Sequence, residues 1–374
     1  MRKVPRAESG VGPTPQSPIL IVGAGPTGLT AAIELARRGV RVRLIDRKSG
    51  PTPLSKAVGV AAHTLDLLAP SGVAARLLAD GLRITRGYIW SHGRRLDALD
   101  FRALPHRHNF LLSLPQSETE TIMAETLEQY GVTVEWGRRL VALNPGSDRI
   151  EVLIEDQRGR TSARYPIVFG ADGTESAVRA GVDLPFEGIT HRRVWSIADA
   201  EIPDWPYEDN AAQVFFHRGG HVGFIIPIGA HRFRAVSNTP DALAHVPGAY
   251  TANVLRRDTF HIPARQTPTY QVGGVYLGGD AAHAHSPLGA RGMNLGIEDA
   301  VMFAQLHSED RLARYTEIRH PIAKDWIALS ERAVSVVQST NAAVVAARDV
   351  VLSIFGHAPV LQTPLLKRVS GLSE

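Results

Sequence analysis

Three glycines and one acid near the start of the chain have the types and spacing that could bind the phosphates of a dinucleotide. Gly23, Gly25 and Gly28 form a Gly-x-Gly-x-x-Gly segment directly after the apolar run 19–22. Gly23 would make a tight turn, Gly25 would let the backbone approach a pyrophosphate, and Gly28 would let helix and strand pack closely. The N–H groups at the start of the following helix would face the phosphates. Asp46 ends the next predicted strand, over 40–45, where its carboxylate could accept hydrogen bonds from a ribose. The spacing therefore predicts a dinucleotide site.

Two later segments each end an apolar strand in an acidic turn. Asp172-Gly173 follows the run 165–170, and Gly279-Asp280 follows 275–277 and leads into the glycine-rich stretch 286–294. A carboxylate at a strand end could hold the ribityl hydroxyls of FAD. A glycine-rich helix start could direct N–H groups at the flavin pyrimidine, where negative charge accumulates on reduction. The three segments together favour FAD over a free nicotinamide nucleotide.

These segments resemble the group A flavoprotein aromatic hydroxylases, which share the para-hydroxybenzoate hydroxylase fold, over residues 18 to 325. The shared features are the first glycine segment, the Asp172-Gly173 turn and the run from Gly279 to Ala300. Lys56 stands where this family usually has Arg, and a phosphate contact there would be weaker because Lys lacks the bidentate fork of Arg.

The resemblance assigns a cofactor role to many positions and a catalytic role to three. The implied FAD-binding residues are Gly23, Gly25, Pro26, Thr27, Gly28, Asp46, Arg47, Lys56, Gln116, Asp172, Gly173, Arg234, Gly279, Asp280, Pro287, Gly289, Gly292, Met293 and Asn294. The loop around Pro287 would lie against the isoalloxazine, and Arg291 would favour the anionic reduced flavin. His283 would shape this loop or take part in the chemistry directly.

The resemblance also implies the architecture. We expect an α/β fold with a Rossmann-like FAD-binding domain of the GR2, para-hydroxybenzoate hydroxylase type, a β-sheet substrate domain and C-terminal helices. The FAD domain would be discontinuous, over 18–85, 110–183 and 271–310. The substrate domain would cover 86–109 and 184–270, with strands at 211–216, 221–228 and 232–237. Residues 1–17 would form a flexible tail. Region 311–374 would be helical, with apolar stripes that suit a core or a homodimer face.

In this family NADPH or NADH reduces the flavin, O2 adds at the flavin C4a carbon, and the resulting hydroperoxide hydroxylates an electron-rich ring. The resemblance therefore implies an FAD-dependent monooxygenase acting on an aromatic or polyketide-like small molecule. A Baeyer–Villiger or epoxidising monooxygenase, an FAD-dependent reductase and a non-catalytic FAD-binding sensor are the alternatives. A flavin-dependent halogenase is disfavoured because the chain has no WxWxIP segment.

One predicted strand gives an expectation about the substrate. In the hydroxybenzoate enzymes a strand pair holds the substrate carboxylate with a hydroxyl, an Arg and a Tyr, and here those places fall on Ile226, Ile228 and Val236. Phe224 shares the face of Ile226 because side chains alternate along a strand. If this face lines the pocket, the substrate should be neutral and largely apolar. The alternative is an ordinary apolar core face.

Composition excludes several other classes. The chain has no cysteine, so disulfides, thiolate metal sites and cysteine nucleophiles are absent, and a reducing cytoplasm fits. The net charge of +4 comes from scattered Lys and Arg, which argues against a nucleic-acid partner. No apolar run approaches the roughly 18 residues of a membrane span. His283 and His285 lack a nearby third ligand, so no metal site is expected.

Overall fold

The computed structural model of the chain describes residues 17–51, 57–357 and 359–372. Nearly all of the expected tail, and Lys56, therefore lie outside the described residues. The strands are β1 Ile19–Val22, β2 Val42–Asp46, β3 Gly59–Val60, β4 Leu82–Ile84, β5 Arg86–Ser91, β6 Arg94–Asp100, β7 Leu111–Ser113, β8 Val134–Trp136, β9 Arg139–Pro145, β10 Ile150–Asp156, β11 Gly159–Tyr165, β12 Val168–Gly170, β13 Glu187–Glu201, β14 Ala211–Phe216, β15 Val222–Gly229, β16 Arg232–Ser237, β17 Asn253–Gln266, β18 Gln271–Val272, β19 Val275–Leu277 and β20 His283–Ala284. The helices are α1 Pro26–Ala36, α2 Ala62–Leu68, α3 Val73–Asp80, α4 Gln116–Gln129, α5 Ala177–Ala180, α6 Gly292–Ser308, α7 Tyr315–Val337, α8 Ala342–His357 and α9 Pro359–Val369.

A six-stranded sheet forms the nucleotide-binding core. Its order is β18-β19-β12-β1-β2-β8, and all neighbours are parallel except the β18–β19 pair at the edge. All four residues of β1 are buried, as expected for a parallel strand whose two faces are both covered by other elements. Helices α4 and α6 pack against α1 beside this sheet. The sheet brings the carboxyl ends of β1, β2 and β12 together, and ligands bind at such an edge in open α/β folds.

An eight-stranded sheet forms the second layer, in the order β20-β17-β13-β16-β15-β14-β5-β6. Neighbouring strands are antiparallel except for β14 and β5. Phe215, Ile225 and Phe233 pack together in one cluster, while Val222 and Trp195 belong to another. The three strands predicted from sequence are present with nearly the same bounds, and the expected α/β fold with a β layer is confirmed. The domain boundaries themselves remain a prediction.

The C-terminal region is helical. Trp326 and Val334 of α7 are buried, whereas Val350 and Ile354 of α8 are 57% and 53% exposed. The apolar stripes thus contribute both to the core and to an exposed surface, and the homodimer remains a prediction. None of the helices in the described ranges combines the length and the apolarity needed to cross a lipid bilayer.

Candidate functional site

A cavity of about 1450 Å³ lies between these two sheets. Its walls include the turn after β1, the ends of β2 and β12, the start of α4 and the loop 284–290. Part of the eight-stranded sheet, including Phe224 and Val236, completes the wall. The three segments singled out in the sequence therefore meet around one space.

The glycines of the first turn have different roles. Gly23 has a φ of +103°, and a Cβ there would lie 2.3 Å from the Ala171 carbonyl oxygen. A Cβ on Gly28 would lie 1.8 Å from the Gly23 carbonyl oxygen. A Cβ on Gly25 would meet nothing closer than Glu120 Oε1 at 4.0 Å. Gly23 and Gly28 are thus required by the fold, whereas Gly25 leaves free space where the N–H groups of α1 begin, which suits a pyrophosphate.

Asp46 ties the end of β2 to this turn. Its Oδ2 accepts a hydrogen bond from the Ala24 N–H at 2.7 Å, and its Oδ1 accepts one from the Lys48 N–H at 2.8 Å. A carboxylate oxygen can accept more than one hydrogen bond, so a ribose hydroxyl could still bind. Arg47 lines the cavity beside Asp46. The ribose contact fits this geometry and remains a prediction.

Asp172 and Gly173 line the cavity at the end of β12. Asp172 Oδ1 accepts a hydrogen bond from Ser176 Oγ at 2.5 Å, and Oδ2 accepts one from the Ala177 N–H at 2.7 Å. Burial raises the pKa of the Asp172 carboxyl, and these hydrogen bonds to the charged form oppose that rise. Asp172 therefore holds the start of α5 as well as facing the cavity.

The loop before α6 packs onto the first glycine turn. Gly279 has a φ of +57°, and a Cβ there would lie 2.5 Å from Thr27 Oγ1. Pro26 and Thr27 line the cavity on the α1 side. Asp280, Pro287, Gly289, Gly292 and Met293 line it on the loop side. The residues predicted to contact the ribityl chain and the isoalloxazine are thus close to those predicted to hold the pyrophosphate.

Two predicted cofactor residues brace the site through their side chains. Asn294 is fully buried and donates from Nδ2 to the carbonyl oxygens of Gly59 and Ala290, at 3.0 and 2.7 Å. Gln116, at the start of α4, lines the cavity and donates to Glu120 Oε1 at 2.7 Å. The Asn294 side chain fixes the start of α6, which leaves its backbone N–H as the group predicted to face the flavin.

Arg234 lines the cavity but is held by the sheet around it. It is 2% exposed, and its Nε and Nη2 donate to the two oxygens of Asp199 at 2.6 and 2.7 Å. Its Nη1 also donates to the Ala57 carbonyl oxygen at 3.1 Å. The paired carboxylate compensates the charge of Arg234, and its cofactor contact remains a prediction.

Two residues predicted to be catalytic lie behind the cavity wall. His283 is 1% exposed, with Nε2 2.6 Å from Asp299 Oδ2. Arg291 is fully buried, with Nη1 2.9 Å from Glu298 Oε1, and its guanidinium lies over the Trp326 ring. Neither is among the cavity-lining residues, whereas the third, Pro287, is. Any influence of Arg291 on the flavin would act through the loop or through its electrostatic field.

The predicted substrate face lines the cavity in part. Phe224, Ile226 and Val236 are on its wall, but Ile228 is not. The register between β15 and β16 shifts between Pro227 and Gly229, which leaves Ile228 as the extra residue of a bulge. The prediction that Ile228 lines the pocket is therefore wrong, because the bulge interrupts the alternation on which it relied.

Several cavity residues were not predicted from the sequence as cofactor or substrate contacts. Arg179, Arg265 and Val369 line the cavity from elements far apart in the chain, and no sequence signal joins them. His285 lies inside the recognised loop. Its Nδ1 is 2.8 Å from the Ser286 carbonyl oxygen, so Nδ1 carries the proton and donates. Burial, with His283 nearby, lowers the pKa of His285 to about 4, which keeps it neutral near pH 7. The structure groups no three potential metal ligands anywhere in the described ranges.

Comparisons with known proteins identify the family of the chain. The model of the FAD binding domain family matches residues 16–240 and 234–330. A 6-methylpretetramide 4-monooxygenase from Streptomyces rimosus is 31% identical, over 94% of this chain and 67% of that protein. Pentachlorophenol 4-monooxygenase from Sphingobium chlorophenolicum is 33% identical, over 77% of this chain and 57% of that protein. The chain thus spans roughly three fifths to two thirds of the length of these relatives.

Solved structures share the fold. An anhydrotetracycline hydroxylase from Streptomyces rimosus superposes with a TM-score of 0.79 at 26% identity, covering 96% of this chain and 76% of that one. A p-nitrophenol 4-monooxygenase from Pseudomonas putida DLL-E4 has a TM-score of 0.88 at 20% identity, covering 96% and 98%. The chain therefore belongs to the FAD binding domain family, among the FAD-dependent aromatic monooxygenases that the sequence resemblance indicated.

Proposed function

We propose that this protein is a monooxygenase that uses FAD, NADPH or NADH, and O2 to hydroxylate a neutral aromatic or polyketide-like ring. One observation carries the proposal. The cavity runs without interruption from the glycine turn at Gly25, past the Pro287 loop, to an apolar wall that includes Phe224 and Val236. A bound flavin would thus have its ring beside a space suited to a second, apolar ring.

When bound, FAD supplies the electron transfer from NAD(P)H and the oxygen-activating chemistry at its C4a position. The chain's own residues bind, orient and shield. The start of α1 would hold the pyrophosphate, while Asp46 and Asp280 would accept hydrogen bonds from ribose and ribityl hydroxyls. The start of α6 at Gly292 would direct N–H groups and the positive end of the helix dipole at the flavin pyrimidine. The apolar wall would exclude water from the reacting ring.

Two arginines support the use of a phosphorylated nicotinamide co-substrate. Arg179 and Arg265 both line the cavity, and the structure places no described carboxylate within salt-bridge distance of either. The Arg179 guanidinium lies 4.1 Å from the centre of the Phe186 ring. Burial lowers the pKa of Arg179, the nearby Asp172 carboxylate opposes that change, and the positive charge of Arg265 acts in the same direction as burial. A phosphate group would relieve this repulsion, so we assign the two arginines to NAD(P)H.

The chemistry of the apolar wall selects the substrate. Phe224, Ile226 and Val236 offer no donor or cation for a carboxylate, and Arg234 is already paired with Asp199. Burying an unpaired anion against such a wall would cost several kcal/mol. The substrate should therefore be a neutral phenol or a polycyclic aromatic rather than a hydroxybenzoate.

Isotope incorporation tests the reaction class directly. The purified holoenzyme would be given NADPH or NADH, ¹⁸O2 and a panel of neutral polycyclic phenols and simple hydroxybenzoates. We expect ring-hydroxylated products that carry one ¹⁸O atom, formed only from the neutral ring systems. An FAD-dependent reductase or a sensor would give no ¹⁸O product, and a Baeyer–Villiger enzyme would place the label in an ester. Coupled turnover of a benzoate would contradict the assignment of the apolar wall.

A further inference from the structure

Two adjacent acids of α6 are buried and do not line the cavity. Glu298 is 4% exposed and Asp299 is fully buried. Asp299 accepts hydrogen bonds from the Gly279 N–H at 2.9 Å and from Arg319 Nε at 2.7 Å, and its Oδ2 is 2.6 Å from His283 Nε2. These contacts connect α6 with the Gly279-Asp280 turn and with α7.

Glu298 joins this group to the flavin loop. Its Oε1 lies 2.9 Å from Arg291 Nη1, and its Oε2 lies 3.2 Å from Arg319 Nη2. Arg319 thus bridges the two acids. Two buried guanidinium groups face two buried carboxylates, so the formal charges of these four side chains cancel. Burial raises the pKa of Asp299, but His283 and Arg319 outweigh it and hold the pKa below its ordinary value, so this acid stays ionised.

This neutral group lies close to where the flavin would bind. Helix α6 begins at Gly292, which lines the cavity, and Glu298 is six residues further along. At 1.5 Å per residue, that spacing corresponds to about 9 Å along the helix axis. A buried charge at this distance, screened by protein and not by water, acts on the flavin when its charge changes on reduction.

We propose that Glu298 sets the flavin reduction potential by neutralising Arg291. Arg291 alone would stabilise the anionic reduced flavin, and the paired carboxylate restrains that effect. Glu298 therefore acts through Arg291 and touches neither the substrate nor the cavity. The inference rests on the proposed FAD site but not on oxygen transfer.

The test compares four holoenzymes: wild type, Glu298→Gln, Arg291→Gln and the double variant. Glutamine keeps the length of the Glu298 side chain and removes its charge. The flavin potential of each would be measured by reductive titration against a reference dye. We expect Glu298→Gln to shift the potential upward and Arg291→Gln to shift it downward. The double variant, in which a neutral pair replaces an ion pair, should return close to wild type.

The size of each shift follows from one unit charge about 10 Å away. The shift in potential reflects how much more tightly the protein binds reduced than oxidised FAD. With an effective dielectric constant of about 20, each single substitution should change the ratio of these two dissociation constants roughly tenfold. Glu309→Gln is the matched control, because Glu309 lies just beyond the opposite end of α6 and pairs with Arg311 at the surface. It should leave the potential unchanged.

Opposite signs in the single variants would support the proposal. Equal potentials in all four proteins, or shifts of the same sign in both single variants, would overturn it and leave the ion pair a packing feature. If Glu298→Gln fails to fold, Arg291→Gln and the double variant still differ only in the charge of Glu298, and the double variant must then have the higher potential. A wild-type protein that binds FAD but transfers no oxygen would refute the proposed function and leave this comparison valid.

Discussion

Replacing Gly25 by valine should remove the cofactor without unfolding the protein. Gly25 has φ −77° and ψ −179°, a conformation open to any residue, and a Cβ would find no atom closer than 4.0 Å. The valine side chain would fit the apoprotein but would occupy the space assigned to the pyrophosphate. Valine is a poorer N-cap than glycine, which costs the helix roughly 1 kcal/mol at most.

The loss of affinity can be worked from the contacts that the phosphate would forfeit. Hydrogen bonds to a charged group contribute about 1.5–3 kcal/mol each. Moving the phosphate away from two N–H groups should therefore cost at least about 3 kcal/mol, which is more than a hundredfold in Kd. The assay is flavin fluorescence titration of the apoprotein, with the melting temperature measured on the same sample.

Two further glycines provide controls. Gly87→Val makes the same substitution at a strand position with open space, outside the cavity lining, and should keep FAD. Gly28→Ala should fail to fold, because its Cβ would lie 1.8 Å from the Gly23 carbonyl oxygen. Stoichiometric FAD with wild-type affinity in Gly25→Val would refute the pyrophosphate assignment.

Three other predictions follow from the cavity wall and its surroundings. Phe224→Ala should weaken binding of neutral polycyclic phenols about tenfold or more, because a buried aromatic contact contributes about 1.5–3 kcal/mol. Ile228→Val, off the cavity wall, should leave this binding unchanged, and equal ligand Kd values in the two variants would contradict the assignment of Phe224 to the substrate wall. Asp199→Asn should destabilise the protein by about 3–5 kcal/mol in urea unfolding, because it leaves the buried Arg234 charge without its carboxylate; a loss below 1 kcal/mol would show that the charge is solvated. The pKa of His285 is about 4 in the folded state and about 6.5 in the unfolded chain. Between these pH values the unfolded state binds more protons than the folded state. The free energy of unfolding should therefore fall by up to about 3 kcal/mol as the pH drops from about 6.5 to about 4. His285→Gln should flatten that part of the stability profile, and an unchanged profile would mean that the histidine is solvated.

The sequence was most informative where a local backbone requirement restricts the residue type. Gly23 has a positive φ and Gly28 lies close to the backbone of the preceding turn, so both positions require glycine and could be recognised in the sequence. Asp46 and Asp172 were found because one ends, and the other closely follows, a strand of the parallel sheet. The family resemblance added the second sheet, and three of its eight strands were predicted almost to the residue.

The features that could not be predicted from the sequence depend on contacts between distant segments. Ile228 was misplaced because a bulge shifts the register after Pro227, and strand alternation alone does not reveal a bulge. Arg291 was expected to favour the anionic reduced flavin, but the sequence did not reveal its partner Glu298, which lies seven residues later on the buried side of α6. Arg265 and Val369 reach the cavity from elements that no local pattern connects with it.

The short strand β20 has a mechanical consequence for the whole site. Ala284 pairs with Arg265, so the loop that would carry the flavin ring is also the outermost strand of the sheet that forms the substrate wall. A shift of this loop when the cofactor binds would pull on β17, which is hydrogen-bonded to β13 along most of its length. The loop assigned to the cofactor and the wall assigned to the substrate are therefore joined by backbone hydrogen bonds. A chimera that takes its substrate sheet from a relative would have to take the β17 edge and the β20 loop together, or the two pockets would lose their alignment.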